Sequence, residues 1–365
     1  MRAVYLPGSS KVAVLDVPAP RPGPGQAVVA VEASTICGSD LRAIYREHLG
    51  HGPEGYTGVI AGHEPCGEVV ETGPDCHSVT EGDRVVVYHI SGCGHCEDCR
   101  RGYMISCTSP DRRAYGWQRD GGHAELLLAD EKDLLALPAP LTFIDGACVA
   151  CGFGTAYEAL CRAQVSARDN LAVVGLGPVG LAVGLLGKAL GVPLVMGIDP
   201  SGERRGLALR LGAVDLAGET EGRPATGHAG GAGHAGGSVG GGVDAVLEST
   251  AGRGVEVAVD CSGSSAGQTS AVAMTARWGR TVMVGEGGHL SLDVSQQLIH
   301  RDITLIGSWV TSVPRMAELL DRLVRWKLHP QTVVTHRFGL EEAGEAYATA
   351  DRGYAGKVAI LPRKR

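Results

Sequence analysis

Four thiols crowd one short stretch of this chain: Cys93, Cys96 and Cys99 in CGHCEDC, followed by Cys107. Thiolates at that spacing converge on one tetrahedral zinc, and four of them close its coordination sphere. No place is then left for a substrate. The site reads as structural, stapling a lobe over about residues 91–110, and chemistry is expected elsewhere. Disulfides are the poorer reading, because the start of the chain lacks a basic segment, an apolar core and a cleavage site in sequence. Of the 11 cysteines, the others (Cys37, Cys66, Cys76, Cys148, Cys151, Cys161 and Cys261) are spaced too irregularly for a disulfide framework.

A second chemistry lies in VVGLGPVG, where Gly175, Gly177 and Gly180 have the G-x-G-x-x-G spacing between a β-rich run and a helix opening at Pro178 and Val179. The first glycine allows a tight turn, the second lets backbone approach a pyrophosphate, and the third lets helix and strand pack closely. The helix N-terminus offers unpaired N–H groups to phosphate. Asp199 follows about 20 residues on, where a carboxylate takes ribose hydroxyls and repels a 2′-phosphate. NAD is the expected cofactor. Arg204 and Arg205 keep NADP open, since an arginine there accommodates that phosphate.

Three separate segments supply Cys37 in ICGSDLR, His63 and Glu64 in AGHEP, and Cys151 in CGFGTAYEAL. Two thiolates and an imidazole leave a fourth position open, as a Lewis-acid zinc requires. Lone Cys and His residues in Val- and Gly-rich segments are more often simply buried, so residue chemistry alone leaves this assignment open.

These groups need elements to carry them. From Val4 to about Leu137, short β-rich runs (VAVLDV, AVVAVEAS, GEVVETG, DRVVVYHI, AELLLAD) alternate with Gly, Pro and Asp clusters, which predicts a compact, mostly antiparallel unit. After Ala147, apolar strands alternate with helical stretches, the signature of βαβ units and a parallel sheet. Further strands are expected at VEVAVDCSG, RTVMVGEG, ITLIGSW and GKVAIL, and a helix from about Pro314 to Trp326. The uncharged stretch Leu171 to Gly187 approaches membrane-span length, but Gly175, Gly177, Pro178 and Gly180 punctuate it, so strand, turn and buried helix are expected. A Gly-rich insertion over about 218–242, containing His228 and His234, is too poor in large side chains to bury a core and is expected to be a mobile surface loop without chemistry.

Hydrophobic residues make up 44% and charged residues 20% of the chain, a globular composition, while an aromatic share of 4% leaves Val, Ala and Leu to fill the cores. A net charge of −7 gives no basic field for nucleic acid or anionic lipid. Neither is expected as a partner, and the cytoplasm is the expected compartment.

In order along the chain, the CGSD segment, GHE, the thiol quartet, CGFGTAY and the glycine fingerprint resemble the zinc-dependent medium-chain alcohol dehydrogenases, over nearly the whole length. The resemblance implies an α/β protein: a GroES-like β-barrel catalytic domain over 1–151 and 309–365, and a Rossmann doubly wound parallel-sheet domain over 152–308. It implies two zinc ions per chain, with Cys37, His63 and Cys151 as catalytic ligands, Glu64 as a transient ligand, and the quartet on the lobe zinc. Ser39 resembles the hydroxyl that receives the alcohol proton. The expected reaction is hydride transfer between an alcohol or ketone and the nicotinamide. The CGSD spelling is similar to the polyol and threonine dehydrogenase branches, whereas Cys151 stands where polyol branches often carry Glu.

Two departures matter. Arg42 stands where many relatives end a proton relay with histidine, and a guanidinium does not release a proton at neutral pH; His48, His51 or water are the replacements. Gly38 stands where relatives often have an arginine on the cofactor pyrophosphate, which makes Lys357 a candidate for that grip. Tyr45, Tyr115 and Trp117 are candidates for the pocket wall. Arg42, Arg46, His48, Gln118 and Arg119 nearby point to a hydroxylated substrate such as a polyol, cyclitol or sugar. A carbonyl reductase, an amino-alcohol dehydrogenase and a catalytically silent nucleotide-binding relative are the rival readings. A homodimer or homotetramer is expected from the family.

Overall fold

The computed structural model describes residues 1–50, 55–219 and 241–363. His51, His228 and His234 lie outside them. The chain divides into two units, Met1–Glu158 with Val310–Arg365, and Ala159–Trp309.

The spine of the first unit is the strand Gln26–Ile36, rich in Val and other small apolar residues and buried on both faces except at Gln26 and Glu32. It pairs antiparallel with Glu64–Thr72, Leu126–Asp130 and Lys357–Leu361. Arg84–Val87 and Leu134–Ala136 extend the sheet on one side, and Val334–Gly339, parallel to Lys357–Leu361, on the other. Val29 and Val31 pack with Val69, Val85, Val87 and Leu127, while Ile36 joins Val4, Leu6, Val358 and Ile360 around Tyr347. Small aliphatic side chains thus do most of the filling.

Beside this sheet runs the helix Phe143–Cys148, a π-helical turn Val149–Phe153 and the helix Gly154–Arg162. Thr142 caps the first helix through a hydroxyl accepting from Asp145 N. The Asp145 carboxylate, fully buried, accepts from the Thr142 N–H at 2.8 Å, the Thr142 hydroxyl at 2.9 Å and the Gln331 N–H at 2.8 Å, and meets His329 Nδ1 at 2.9 Å. One carboxylate therefore fastens the segment leading to Cys151 onto the chain beyond residue 328.

The second unit is a six-stranded, all-parallel sheet. Its order is Leu216–Gly218, Val195–Ile198, Leu171–Val174, Val255–Asp260, Thr275–Met283 and Thr304–Gly307. Read in chain sequence this is 3-2-1-4-5-6, the doubly wound order whose reversal lies between Leu171–Val174 and Val255–Asp260. The helices Pro178–Ala189, Gly202–Arg210, Gly241–Ser249 and Ser265–Met274 connect strands. The apolar stretch from Leu171 is thus a buried strand and a glycine turn feeding a helix. Among the described residues no helix is long and apolar enough to cross a membrane.

Replacing Asp145 by Ala is expected to destabilise the first unit by about 2 to 3 kcal/mol, because the Gln331 N–H and the Thr142 groups lose a charged acceptor inside the protein. Urea unfolding followed by far-UV circular dichroism measures it; an unchanged midpoint contradicts the clamp.

Candidate active site and metal centres

In the first unit, Cys37 ends the central strand and caps the short helix Gly38–Asp40. The Asp40 carboxylate, fully buried, accepts from the Cys37 N–H at 2.9 Å through Oδ2 and faces His63 Nδ1 at 2.7 Å through Oδ1. That bond assigns the His63 proton to Nδ1 and leaves Nε2 as the free donor nitrogen, the orientation a ligand histidine needs. Glu64 opens the next strand, paired with Thr35, and Cys151 projects from the π-helical turn. Sequence-distant, Cys37, His63, Glu64 and Cys151 each bring one ligand atom within 4.8 Å of the others. The Cys37 thiol is held well below its ordinary pKa, chiefly by its hydrogen bond with Cys151 and further by Lys357 and His63. Burial raises Glu64 to about 7 against the pull of Lys357. This donor set fits zinc: two sulfurs, an imidazole nitrogen fixed by a carboxylate, and a carboxylate in reserve.

Cys93, Cys96, Cys99 and Cys107 likewise converge within 4.8 Å. Cys96 caps the helix Glu97–Arg100, and backbone N–H groups of Cys96 and Cys93 point at the sulfurs of Cys93 and Cys107, each at 3.4 Å. The His95 and Cys96 backbone N–H groups lower the Cys93 thiol to about 6. Donated N–H bonds of this kind favour thiolate, so these residues fit a second, four-sulfur zinc.

Other residues behave differently from their sequence expectations. Lys357 has its ammonium on Glu64, at 2.7 Å from Oε1 and 2.6 Å from Oε2, and is 3% exposed. Tyr45 is buried in the core at the end of the π-helical turn Leu41–Tyr45, its ring 5.2 Å from that of Tyr347. Tyr115 is buried and donates to Asp133 at 2.9 Å. Arg46 pairs with Asp351, Arg119 with Asp130, His48 meets the Leu6 carbonyl, and Gln118 binds the Ala114 N–H and Gly55 carbonyl. Most of the polar residues expected near the pocket thus have partners within the protein. Trp117 stands edge-on to His63 at 6.3 Å, Ser39 is half-buried in the turn after Cys37, and Arg42 is exposed.

Three residues of this centre escaped sequence reasoning. Asp40 had a legible signal, being the third residue after a helix-capping position. Thr35, whose hydroxyl donates to Glu64, had none. Neither had His89, whose ring lies 5.1 Å from that of His63; burial, then the His63 charge, lower it to about 3, so it stays neutral, with Nδ1 on the Ala150 carbonyl at 2.9 Å.

In the second unit, Gly175 takes φ +87°, and a Cβ on Gly180 would stand 1.9 Å from the Gly175 carbonyl oxygen, so neither position admits a side chain. A Cβ on Gly177 would meet only Arg204, at 3.9 Å, leaving the start of the Pro178–Ala189 helix, with Val179 in its first turn, open to a ligand. Asp199 is 1% exposed and accepts from the Leu176 and Ser201 N–H groups at 2.7 and 2.8 Å. Arg204 Nη1 is 3.6 Å from Asp199, and its buried Nε has no partner. Arg205 instead serves the Asp199 and Pro200 carbonyls and Glu219. An open helix start flanked by a ribose-type carboxylate and an orphaned guanidinium donor fits a dinucleotide.

Comparison with known proteins agrees with this geometry. Residues 23–139 match the alcohol dehydrogenase GroES-like domain, and residues 178–325 the zinc-binding dehydrogenase family. The chain is 47% identical over 366 residues to the uncharacterized zinc-type alcohol dehydrogenase-like protein YphC of Escherichia coli K12, covering 99% of this chain and 98% of that one. A sorbitol dehydrogenase of Halalkalibacterium halodurans is 27% identical over 97% of both chains. Among solved structures, the alcohol dehydrogenase TADH of Thermus sp. ATN1 superimposes with a TM-score of 0.84 at 29% identity, covering 100% of each chain. Shared in sequence and in fold from end to end, this likeness makes the chain a member of the zinc-dependent medium-chain alcohol dehydrogenase family, an oxidoreductase acting on CH–OH donors with zinc and a nicotinamide cofactor.

Proposed function

We propose that the protein oxidises a secondary alcohol bearing further hydroxyls, of the polyol, cyclitol or sugar class, with NAD as hydride acceptor. The convergence of Cys37, His63, Glu64 and Cys151 in one buried cluster carries the reading. In it the first unit is the catalytic domain and the second binds the nucleotide. Zinc at Cys37, His63 and Cys151 supplies Lewis acidity that makes an alcohol hydroxyl a readier acid, and the nicotinamide takes the hydride.

The chain's residues do the rest. Asp40 fixes the His63 ring and the Cys37 backbone together, so two donors keep one geometry. Ser39, two residues beyond Cys37, takes the substrate proton; Arg42 cannot pass it on, and His48 is engaged with Leu6, so water is the exit. Glu64, held by Lys357 and Thr35, stands in reserve as a fourth donor. Trp117 supplies an apolar wall beside His63, and neutral His89 offers a hydrogen-bonding edge. Gly175, Gly177 and Gly180 with the helix start at Pro178 and Val179 seat the pyrophosphate, and Asp199 with Arg204 the adenosine ribose. The polyol class is supported by the sorbitol dehydrogenase relative.

The strand Thr304–Gly307 ends the parallel sheet with exposed Leu305, and Ile299 and Trp309 are exposed near it. An edge of this kind pairs readily with its own copy, which supports a homodimer. Two zinc clusters built on thiolates suit the reducing cytoplasm.

Cys37→Ser is expected to lose one of two zinc ions per chain by metal analysis and to abolish NADH formation on a polyol and cyclitol panel, while nucleotide binding persists; retained turnover excludes the zinc mechanism. Asp199→Ala should weaken NAD binding at least about tenfold and NADP far less, read by fluorescence titration. Equal losses contradict the ribose role. Light scattering should give a dimer that Leu305→Lys shifts toward monomer; a wild-type monomer rules out the edge pairing.

A further inference from the structure

We propose that Lys357 is the counter-ion of the metal centre: a positioning residue whose ammonium, bridging both Glu64 oxygens beside Cys37 and Cys151, balances the donor set. It then has no part in gripping the cofactor's phosphates. The inference rests on the assignment of Cys37, His63 and Cys151 as zinc donors.

The argument begins with charge. Two thiolates and the Glu64 carboxylate carry three negative charges against the two positive charges of a divalent ion, and the Asp40 carboxylate on His63 adds a fourth, so the buried cluster calls for a cation of the protein's own. Glu64 is fully buried and Lys357 nearly so, where an unbalanced charge is costly. The backbone delivers Lys357 to this spot. In the Lys357–Leu361 strand, Val358 pairs with Ile36, the residue before Cys37. A Cβ on Gly152, next to Cys151, would stand 3.8 Å from Lys357 Nζ. The charges that act on the ammonium are Glu64, Cys37 and Cys151, all members of the donor cluster. Thr35, donating to the Glu64 carboxylate from the central strand, fixes the carboxylate that Lys357 neutralises.

Lysine at this place also limits Glu64. With both oxygens bound by one ammonium, the carboxylate reaches a metal only while remaining anchored to it. The pair thus steadies the reserve donor as well as its charge.

The test uses the full-length, zinc-loaded protein and reads zinc release to a chelating indicator, the visible spectrum of the cobalt-substituted protein, and the NADH dissociation constant. Lys357→Met is expected to release the catalytic zinc at least about tenfold faster and to shift the cobalt bands, with NADH affinity unchanged within about twofold. Lys357→Arg should restore most of the retention. Combining Lys357→Met with Glu64→Gln should restore it too, because neither charge is then left unpaired. Unchanged zinc release and cobalt bands in Lys357→Met, with NADH binding weakened about tenfold, would overturn the proposal in favour of a phosphate grip. A double variant no better than the single would overturn it as well. If Lys357→Met does not fold, Glu64→Gln alone against the double variant decides: faster release in the single and recovery in the double support the counter-ion, and equal release refutes it. A wild-type protein holding one zinc per chain would sink the ligand assignment itself.

Discussion

The carboxylate of Asp40 is the contact on which the active centre depends. It joins the backbone of one donor to the ring of another, and it does so from inside the core, where no water competes. Cys37 follows the strand Gln26–Ile36 and His63 precedes the strand Glu64–Thr72, so without this bridge their relative position would rest on the pairing of those strands alone. The aspartate ties the two residues into one rigid unit. It also selects the tautomer of His63 and leaves Nε2 free.

The same economy runs through the first unit. Asp145 ties the segment before Cys151 to the far end of the chain, and Thr35 and Lys357 hold Glu64 from two neighbouring strands. Asp40, Glu64 and Asp145 each have at least two partners from separate segments. That arrangement explains how a core filled mainly by Val, Ala and Leu, with few large rings, still fixes four donors from three segments. In the second unit the requirement is different: backbone must come close, and glycine replaces side-chain bonding. The Gly180 contact with the Gly175 carbonyl is too tight for any other residue.

Much of this was legible in the sequence, for reasons particular to the residues. The glycine spacing with Asp199 prescribes a strand, a turn and a helix, and local pattern alone foretold the Pro178–Ala189 and Val313–Trp326 helices through their prolines and apolar stripes. Cys37, His63, Glu64 and Cys151 were legible only as scattered residues that a family pattern united, because nothing local in ICGSDLR or CGFGTAY says that they meet. What was not legible is the fate of the polar residues around them. Arg46, His48, Gln118 and Arg119 read as substrate contacts because they are polar and lie in the segment after Ser39 or beside Trp117. Their partners, Asp351, the Leu6 and Gly55 carbonyls and Asp130, come from segments that only the fold brings alongside. The burial of Tyr45 was not legible for a related reason: a π-helical turn shifts side chains round the axis relative to an α-helix and carries the ring inward.

Lys357 lies on the last strand of the first unit, after the whole of the second unit in chain order. As the polypeptide emerges, Cys37, His63, Glu64 and Cys151 are all made before the second unit, and Glu64 must wait for its ammonium until that unit has been synthesised. Until then the buried carboxylate lacks its partner and the central strand has an open edge where Lys357–Leu361 will pair. The order of synthesis therefore sets an order of maturation, in which the Glu64 carboxylate gains its ammonium only after the second unit has been made.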